Sequence, residues 1–340
     1  MKKYIYVFLF SLFVVGCFQE NKIKTVNKPN FKEFVSVCHD SIYIDQILHI
    51  WYWKADGNRA YIFSPRSTDA FIFVYSLPKF EFLYKYGSRG NGPNEYITVN
   101  WGDSKIENEF ILYDIMKRKL YLYTSSDSMC FVKQSFDLHG EFQSDMLSKP
   151  FTMAHKLNDS IFLLKVDSPN ESYLEIADLH NKKTVSHLHS HLKRPKQSAY
   201  TPFDFVIELY DNIIISAYYY IDRIEISEIN EKFDIETKLI IGSELDQSSK
   251  NDYNNLDEYY TDIKCDGKLI FAVNQNGKSY ENSSIEIFDI NGSALGKLQL
   301  DQYIELILLS TDSKYIYGYN SLVESNFIYI YEVPEELTFR

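Results

Sequence analysis

The chain has 340 residues, with 28 tyrosines, 24 phenylalanines and a formal net charge of −12. This acidic balance argues against a nucleic-acid partner, because phosphate neutralisation needs clustered Lys and Arg. Four cysteines, none in a CxxC pair, argue against a disulfide-dense scaffold or a cysteine zinc module.

The N-terminus reads MKKYIYVFLFSLFVVGC, two lysines and then an apolar run from Tyr4 to Val15. This run is too short for a comfortable membrane span and has the layout of a secretory signal. Residues 1–16 are therefore expected to be a signal peptide. The polar FQENKIKTVNKPN that follows lacks hydrophobic periodicity, and with Cys17 it makes residues 17–30 the expected flexible tether. From Phe31 to Arg340 no Pro-, Gly- or Ser-rich linker divides the chain, so a single domain is expected.

The stretch Val14-Val15-Gly16-Cys17 resembles the lipobox of bacterial lipoproteins. The resemblance implies that Cys17 is lipidated and anchors the protein to a membrane of the bacterial cell envelope by acyl chains. The outer membrane is expected, with its periplasmic and surface faces both open.

Beyond residue 30, aromatic and β-branched residues dominate and long amphipathic helical patterns are missing, an all-β composition. Six segments repeat one plan, a β run, a polar turn and a second β run. They start at Tyr61, Phe110, Ile161, Ile213, Leu269 and Tyr315, about 50 residues apart, near the period of a kelch blade. With a flanking β run on each side, this predicts a six-bladed β-propeller of four-stranded blades. The last repeat lacks its outer strand at the C-terminus. Phe31 to Cys38, FKEFVSVC, is expected to supply it and so close the ring.

Between the first two repeats lies YGSRGNGPNEY, Tyr86 to Tyr96. Gly87, Gly90 and Gly92 permit positive φ and Pro93 directs the chain into the next strand, which makes this stretch a crossing between blades. It is not a P-loop, and no helix follows to face an anion. Glu95 is expected to accept backbone N–H bonds from the glycine turn. The alternative places Arg89, Asn91 and Glu95 at the channel rim as ligand contacts. Gly90, Gly92, Pro93, Glu95 and Tyr96, behind a lipobox and ahead of repeated β units, resemble the TolB-like six-bladed propeller lipoproteins. That family implies the fold and the envelope address and carries over no catalytic residue.

Other stretches offer weaker chemistry. His187, His189 and His191 alternate and would share one strand face, suited to Zn or Cu, but the stretch runs from an outer strand into a connector without a nearby carboxylate, so a solvated edge is the favoured reading and no metal site is assigned. The polar connector from Gly242 to Asp262 carries Glu244, Asp246, Asp252, Asp257, Glu258 and Asp262 without EF-hand spacing. The tyrosines of AYYYID, Ala217 to Asp222, are either sugar-stacking platforms or packing between blades. Cys38, Cys130 and Cys265 read as small apolar residues. No cofactor motif, GxSxG or HExxH is present. The expected function is a membrane-tethered propeller that binds a glycan, a peptide or an envelope protein. The alternative is an extracellular polysaccharide hydrolase or lyase with acids at the channel mouth.

Overall fold

A computed structural model describes residues 23–47, 49–92, 95–139, 151–168, 171–189, 204–242, 257–277, 282–322 and 325–338. Three short strands come first: β1 (Lys24–Val26), β2 (Glu33–Ser36) and β3 (Asp40–Tyr43). Then follow antiparallel units in which each strand pairs with the next. The first is β4 (Tyr52–Asp56), β5 (Arg59–Phe63), β6 (Ile72–Ser76) and β7 (Phe82–Tyr86). After a two-stranded crossing, β8 (Ser88–Arg89) with β9 (Glu95–Tyr96), comes β10 (Val99–Ser104), β11 (Glu109–Asp114), β12 (Lys119–Ser125) and β13 (Cys130–Asp137).

The third unit is β14 (Phe151–Lys156), β15 (Ile161–Ser168), β16 (Glu171–Asp178) and β17 (Lys183–His189). The fourth is β18 (Phe205–Tyr210), β19 (Ile213–Tyr218), β20 (Arg223–Ile229) and β21 (Ile235–Gly242). The fifth is β22 (Tyr260–Cys265), β23 (Leu269–Asn274), β24 (Ser284–Asp289) and β25 (Ala294–Leu300). The sixth is β26 (Leu306–Leu309), β27 (Tyr315–Tyr319) and β28 (Phe327–Glu332), completed by β3. A single helical turn, Glu335–Thr338, follows.

The middle strands are buried on both faces, β11 and β23 at every position, because each sheet packs between two neighbours. Outer strands alternate: in β13 only Cys130 and Phe136 are buried. The apolar clusters lie between successive units. Phe63 and Phe71 meet Trp101 and Phe110, and Leu163 and Leu174 meet Ile207 and Ile214. Trp53, Ile62 and Phe73 of the first unit share a cluster with Leu308, Tyr317 and Ile328 of the last. That final cluster closes the ring. The fold is a β-propeller.

Three expectations are corrected. Separate four-stranded sheets were expected throughout, yet β10 pairs in parallel with β14, fusing two units into one eight-stranded sheet. Gly102 sits opposite Ala154 in that register, and a Cβ there would stand 2.5 Å from the Ala154 carbonyl oxygen. Glycine therefore lets the two inner strands approach closely enough to bond.

The closing strand is also different. Phe31 to Cys38 contributes β2, which pairs in parallel with β25, and the ring is closed by β3, antiparallel to β28. Finally, the expected tether is part of the fold from residue 24, where β1 adds in parallel to β21. Residues 24–43 thus run along the outer edges of the fourth, fifth and sixth units in turn. This segment covers edges that would otherwise template association.

Candidate ligand site in the central channel

The first strand of each unit (β4, β10, β14, β18, β22 and β26) lines the central channel. These strands begin on the side of the long crossings between units and end on the side of the short hairpins. Each end opens into a cavity.

The loop-side cavity, about 390 Å³, draws residues from all six inner strands or their approaches, among them Tyr52, Trp101, Thr152, Phe205, Thr261 and Leu306. Aromatic rings form much of its wall. Tyr52 stacks on Trp101 with centroids 5.5 Å apart, and Trp101 stacks on Phe110 at 5.2 Å. Trp51, 57% exposed, stands at the mouth. On one side the buried Lys165 donates to Asp204 at 2.6 Å, lies 3.3 Å from Asp167 and sits over the Phe205 ring. On another, Glu305 accepts a hydrogen bond from the Ser321 backbone N–H at 2.8 Å. Burial and the Glu305 charge hold the Glu258 carboxyl above its ordinary range. Burial and the nearby charges of Glu258 and Glu305 also raise the phenol of Tyr219. His49 is pushed down by burial and by Arg66, against the pull of Glu305.

The hairpin-side cavity, about 280 Å³, is lined by Lys54, Asp103, Glu208, Lys264 and Cys265, with Leu309 from the last unit. Tyr52 borders both cavities and lies under the Lys264 ammonium, 5.1 Å from its ring centroid. Here the ion pairs are tight. Lys54 donates to Asp103 at 2.7 Å and Lys264 to Asp262 at 2.8 Å, while Glu208 lies 3.9 Å from Lys264. Burial pushes the Glu208 carboxyl up to about 8 despite Lys264. His155, paired in register with Asp103, is 4% exposed, and its Nε2 has no hydrogen-bond partner among the described residues. Burial lowers it to about 4, so it is neutral at physiological pH. The Cys265 thiol is raised to about 12 by burial, which keeps it protonated and unreactive.

The glycine crossing lies on the loop side but is occupied with its own architecture. Glu95 Oε2 accepts the Gly92 N–H at 2.8 Å, as expected of a turn-holding carboxylate. A Cβ at Gly90 would collide with that carboxylate, Gly92 approaches it closely, and Gly87 has φ +83°. Lys117 donates to the carbonyls of Gly92 and Glu95 at 3.0 and 2.6 Å. Arg89 donates to the carbonyls of Ile97 and Pro65 and lies over Phe71. Asn91 is exposed. Neither Arg89, Asn91 nor Glu95 lines the cavity. Pro93 lies outside the described residues, as do Cys17, Glu244, Asp246, Asp252 and His191.

His187 is exposed on β17 opposite Glu175, and the side chain of His189 is outside the described residues. Cys38, Cys130 and Cys265 carry free thiols. Of the stretches singled out in the sequence, two reach the channel. Tyr219 of AYYYID lines the loop-side cavity, and the acidic connector delivers Glu258 beside it and Asp262 into its wall. The aligned titratable residues Lys54, Asp103, His155, Glu208 and Lys264, one on each of five inner strands, escape a motif search. Superposing the repeats strand by strand would have found them, because each falls near the end of its inner strand.

No family model matches the chain, and no curated protein matches it in sequence. Solved structures do resemble it. A DUF4221 family member from Bacteroides vulgatus has TM-score 0.58 and 10% identity over 87% of this chain and 97% of its own. An exported protein of Bacteroides fragilis, described as such without further assignment, has TM-score 0.57 and 12% identity over 91% and 98%. The β-propeller domain of Myceliophteria thermophila Cps50 (Swd1) has TM-score 0.52 and 10% identity over 88% and 100%. At these identities the likeness extends to the fold. The class so defined is a β-propeller whose channel opens into a cavity at each end.

Proposed function

We propose that this protein is a lipid-anchored binding protein of the bacterial envelope, tethered through Cys17, whose ligand enters the loop-side mouth of the channel. We read its six antiparallel units as six blades, in the manner of the TolB-like lipoproteins. The observation that carries the reading is the loop-side cavity itself. Its volume of about 390 Å³ falls in the range typical of small-molecule sites, and its wall combines stacked aromatic rings with a few fixed polar groups. Such walls hold a glycan or peptide by stacking and orient it by hydrogen bonds. The export signal, the lipobox and the exported Bacteroides relative in fold support the address.

A thermal-shift screen of the full chain against glycans, peptides and divalent cations tests the binding role. A ligand at a hundred times its Kd raises stability by about 2.7 kcal/mol, which a cooperative melt resolves. If no glycan or peptide moves the melt at millimolar concentration, the small-ligand reading fails and a protein partner takes its place.

One observation favours a second reading, polysaccharide hydrolysis or elimination. The Glu258 carboxyl is held above its usual range by burial and by the charge of Glu305, and a carboxyl raised in this way suits a general acid. Reducing-end release from envelope polysaccharides, abolished in Glu258→Gln, would establish it. Binding without turnover removes it.

A further inference from the structure

We propose that the loop-side mouth takes an uncharged glycan, with one sugar face on the indole of Trp51 and its hydroxyls on Glu305 and Asp204, and turns acidic glycans away. The inference rests on reading this mouth as the ligand site and narrows the class of ligand it holds.

Trp51 is placed for this role. It lines the cavity yet is 57% exposed, whereas Trp53 and Trp101 are almost fully buried. Its backbone N–H donates to the Phe63 carbonyl at 2.9 Å, which fixes the residue at the entrance to β4. The His49 ring meets the indole nearly at right angles, with centroids 6.1 Å apart. A large aromatic side chain held out of the core leaves apolar surface in water, and such surface at a cavity mouth marks a place that a ligand covers. The C–H face of a pyranose ring is flat and weakly polar, and it suits the face of an indole.

The polar wall of the same cavity is rich in acceptors. Glu305 Oε2 accepts the Ser321 N–H at 2.8 Å. Asp204 Oδ1 accepts from the Lys165 ammonium at 2.6 Å and from the Phe205 N–H at 2.9 Å. Each carboxylate is thus anchored through one oxygen, while Glu305 Oε1 and Asp204 Oδ2 accept no hydrogen bond among the described residues. Asn100 is arranged alike, since its Nδ2 donates to the Phe151 carbonyl at 3.1 Å and its Oδ1 is left as an acceptor. All three side chains line the cavity. Acceptors held in place in this way call for a ligand rich in donors, as sugar hydroxyls are. Charge then divides neutral from acidic sugars. Lys165 is the one lysine or arginine among the lining residues, and it is already paired with Asp204 and, at 3.3 Å, with Asp167. Glu305 has no ion-pair partner among the described residues. A uronate or sulfate would therefore bring a second negative charge to this wall with no free cation to receive it. An unpaired charge in a partly enclosed site is a strong means of rejection.

Calorimetric titration of the full chain with neutral trisaccharides of glucose, galactose, mannose and xylose, and with trigalacturonate, tests the proposal. At least one neutral trimer should bind, and trigalacturonate should bind at least about tenfold more weakly, a gap of about 1.4 kcal/mol. Trp51→Ala should weaken the neutral trimer at least about tenfold and leave the melting temperature unchanged, because the side chain is largely outside the core. Glu305→Gln, which keeps the shape and removes the charge, should narrow the gap between neutral and acidic trimers. Trigalacturonate binding as tightly as the neutral trimers overturns the proposal, and the mouth stays a ligand site if Trp51→Ala still weakens it. Absence of binding by every trimer at millimolar concentration overturns the proposal as well, and the peptide arm of the thermal-shift screen then decides separately whether the mouth binds anything. A neutral trimer whose affinity ignores both Trp51→Ala and Glu305→Gln sits elsewhere on the protein and overturns both the proposal and the reading of the mouth beneath it.

Discussion

Lys28 places its ammonium 2.8 Å from the carboxylate of Glu286, whose side chain is fully buried in the fifth unit, and 2.6 Å from Asp222 in the fourth. The same ammonium lies over the Tyr260 ring, whose hydroxyl donates to Glu286 at 2.8 Å. A residue that sequence pattern alone would assign to a free tether thus pins the N-terminal segment across two units. Burial pulls the Lys28 ammonium down, but the charges of Glu286 and Asp222 outweigh it and the net shift is upward. Its stabilisation is therefore complete at neutral pH and is lost only as pH rises past the ordinary lysine range.

Replacing Lys28 with Met leaves Glu286 with Lys297, at 3.8 Å, as its remaining cation among the described residues. Removing one partner of a buried pair costs about 3–5 kcal/mol. Lys28 is about one-quarter exposed, so a loss of about 1–3 kcal/mol is expected on that scale. Urea unfolding of Lys28→Met, Glu286→Gln and the double variant checks this. The double variant should be more stable than the sum of the single losses implies.

Gly102→Val should break the fusion of the second and third units. A Cβ at this position stands 2.5 Å from the Ala154 carbonyl and 2.9 Å from Ile111 Cβ, both on packed strands that have no room to retreat. Overpacking of this kind costs about 1–3 kcal/mol. Hydrogen exchange should show the amides of β10 and β14 losing protection before those of β23 and β24.

The glycine crossing should prove structural in function as well as in form. Glu95→Ala removes the acceptor of the Gly92 N–H, a hydrogen bond to a charged group, and a loss of about 1–3 kcal/mol is expected. Ligand affinity at the loop-side mouth should stay within about twofold in the same variant. A tenfold loss of affinity at unchanged stability would instead restore Glu95 to the ligand contacts.

The channel charges predict a pH signature. Glu208 is raised to about 8 by burial, so the folded state holds a proton that the unfolded state has already released. Its contribution is complete below the ordinary Glu range and is lost as pH climbs toward 8. His155, lowered to about 4, acts in the opposite direction, and its contribution is lost as pH falls from about 6.5 toward 4. The two oppose one another below pH ~6.5, which leaves Glu208 dominant from there to pH 8. Stability should decline by about 1–2 kcal/mol across that interval, and Glu208→Gln should flatten the decline. Chemical denaturation at half-unit pH steps provides the measurement.

The repeating units were legible in the sequence because their middle strands are buried on both faces, so runs such as FILYD and LIFAVN carry almost no polar residue. The closing strand was not. Phe31 to Cys38 and Asp40 to Tyr43 are both short and weakly patterned, and which edge each one joins is decided by the curvature of the ring. The β10–β14 pairing hangs on the single glycine at 102, which looks unremarkable within VNWGDS. In the channel, Tyr219 and Glu258 stood out because they sit in conspicuous stretches. Lys54, Asp103, Glu208 and Lys264 did not, because an inner strand facing a polar channel alternates just as a solvent-facing strand does.

All three tryptophans, Trp51, Trp53 and Trp101, border the two channel cavities, so intrinsic fluorescence reports on the channel and little else. The decisive measurement is the tryptophan emission of the full chain titrated with whichever ligand stabilises it in the thermal screen. The loop-side site predicts a saturable spectral change with the midpoint of the stabilisation, reduced by more than half in Trp51→Phe. A ligand that raises the melting temperature while leaving the emission of all three tryptophans unchanged would place binding outside the channel and contradict the account.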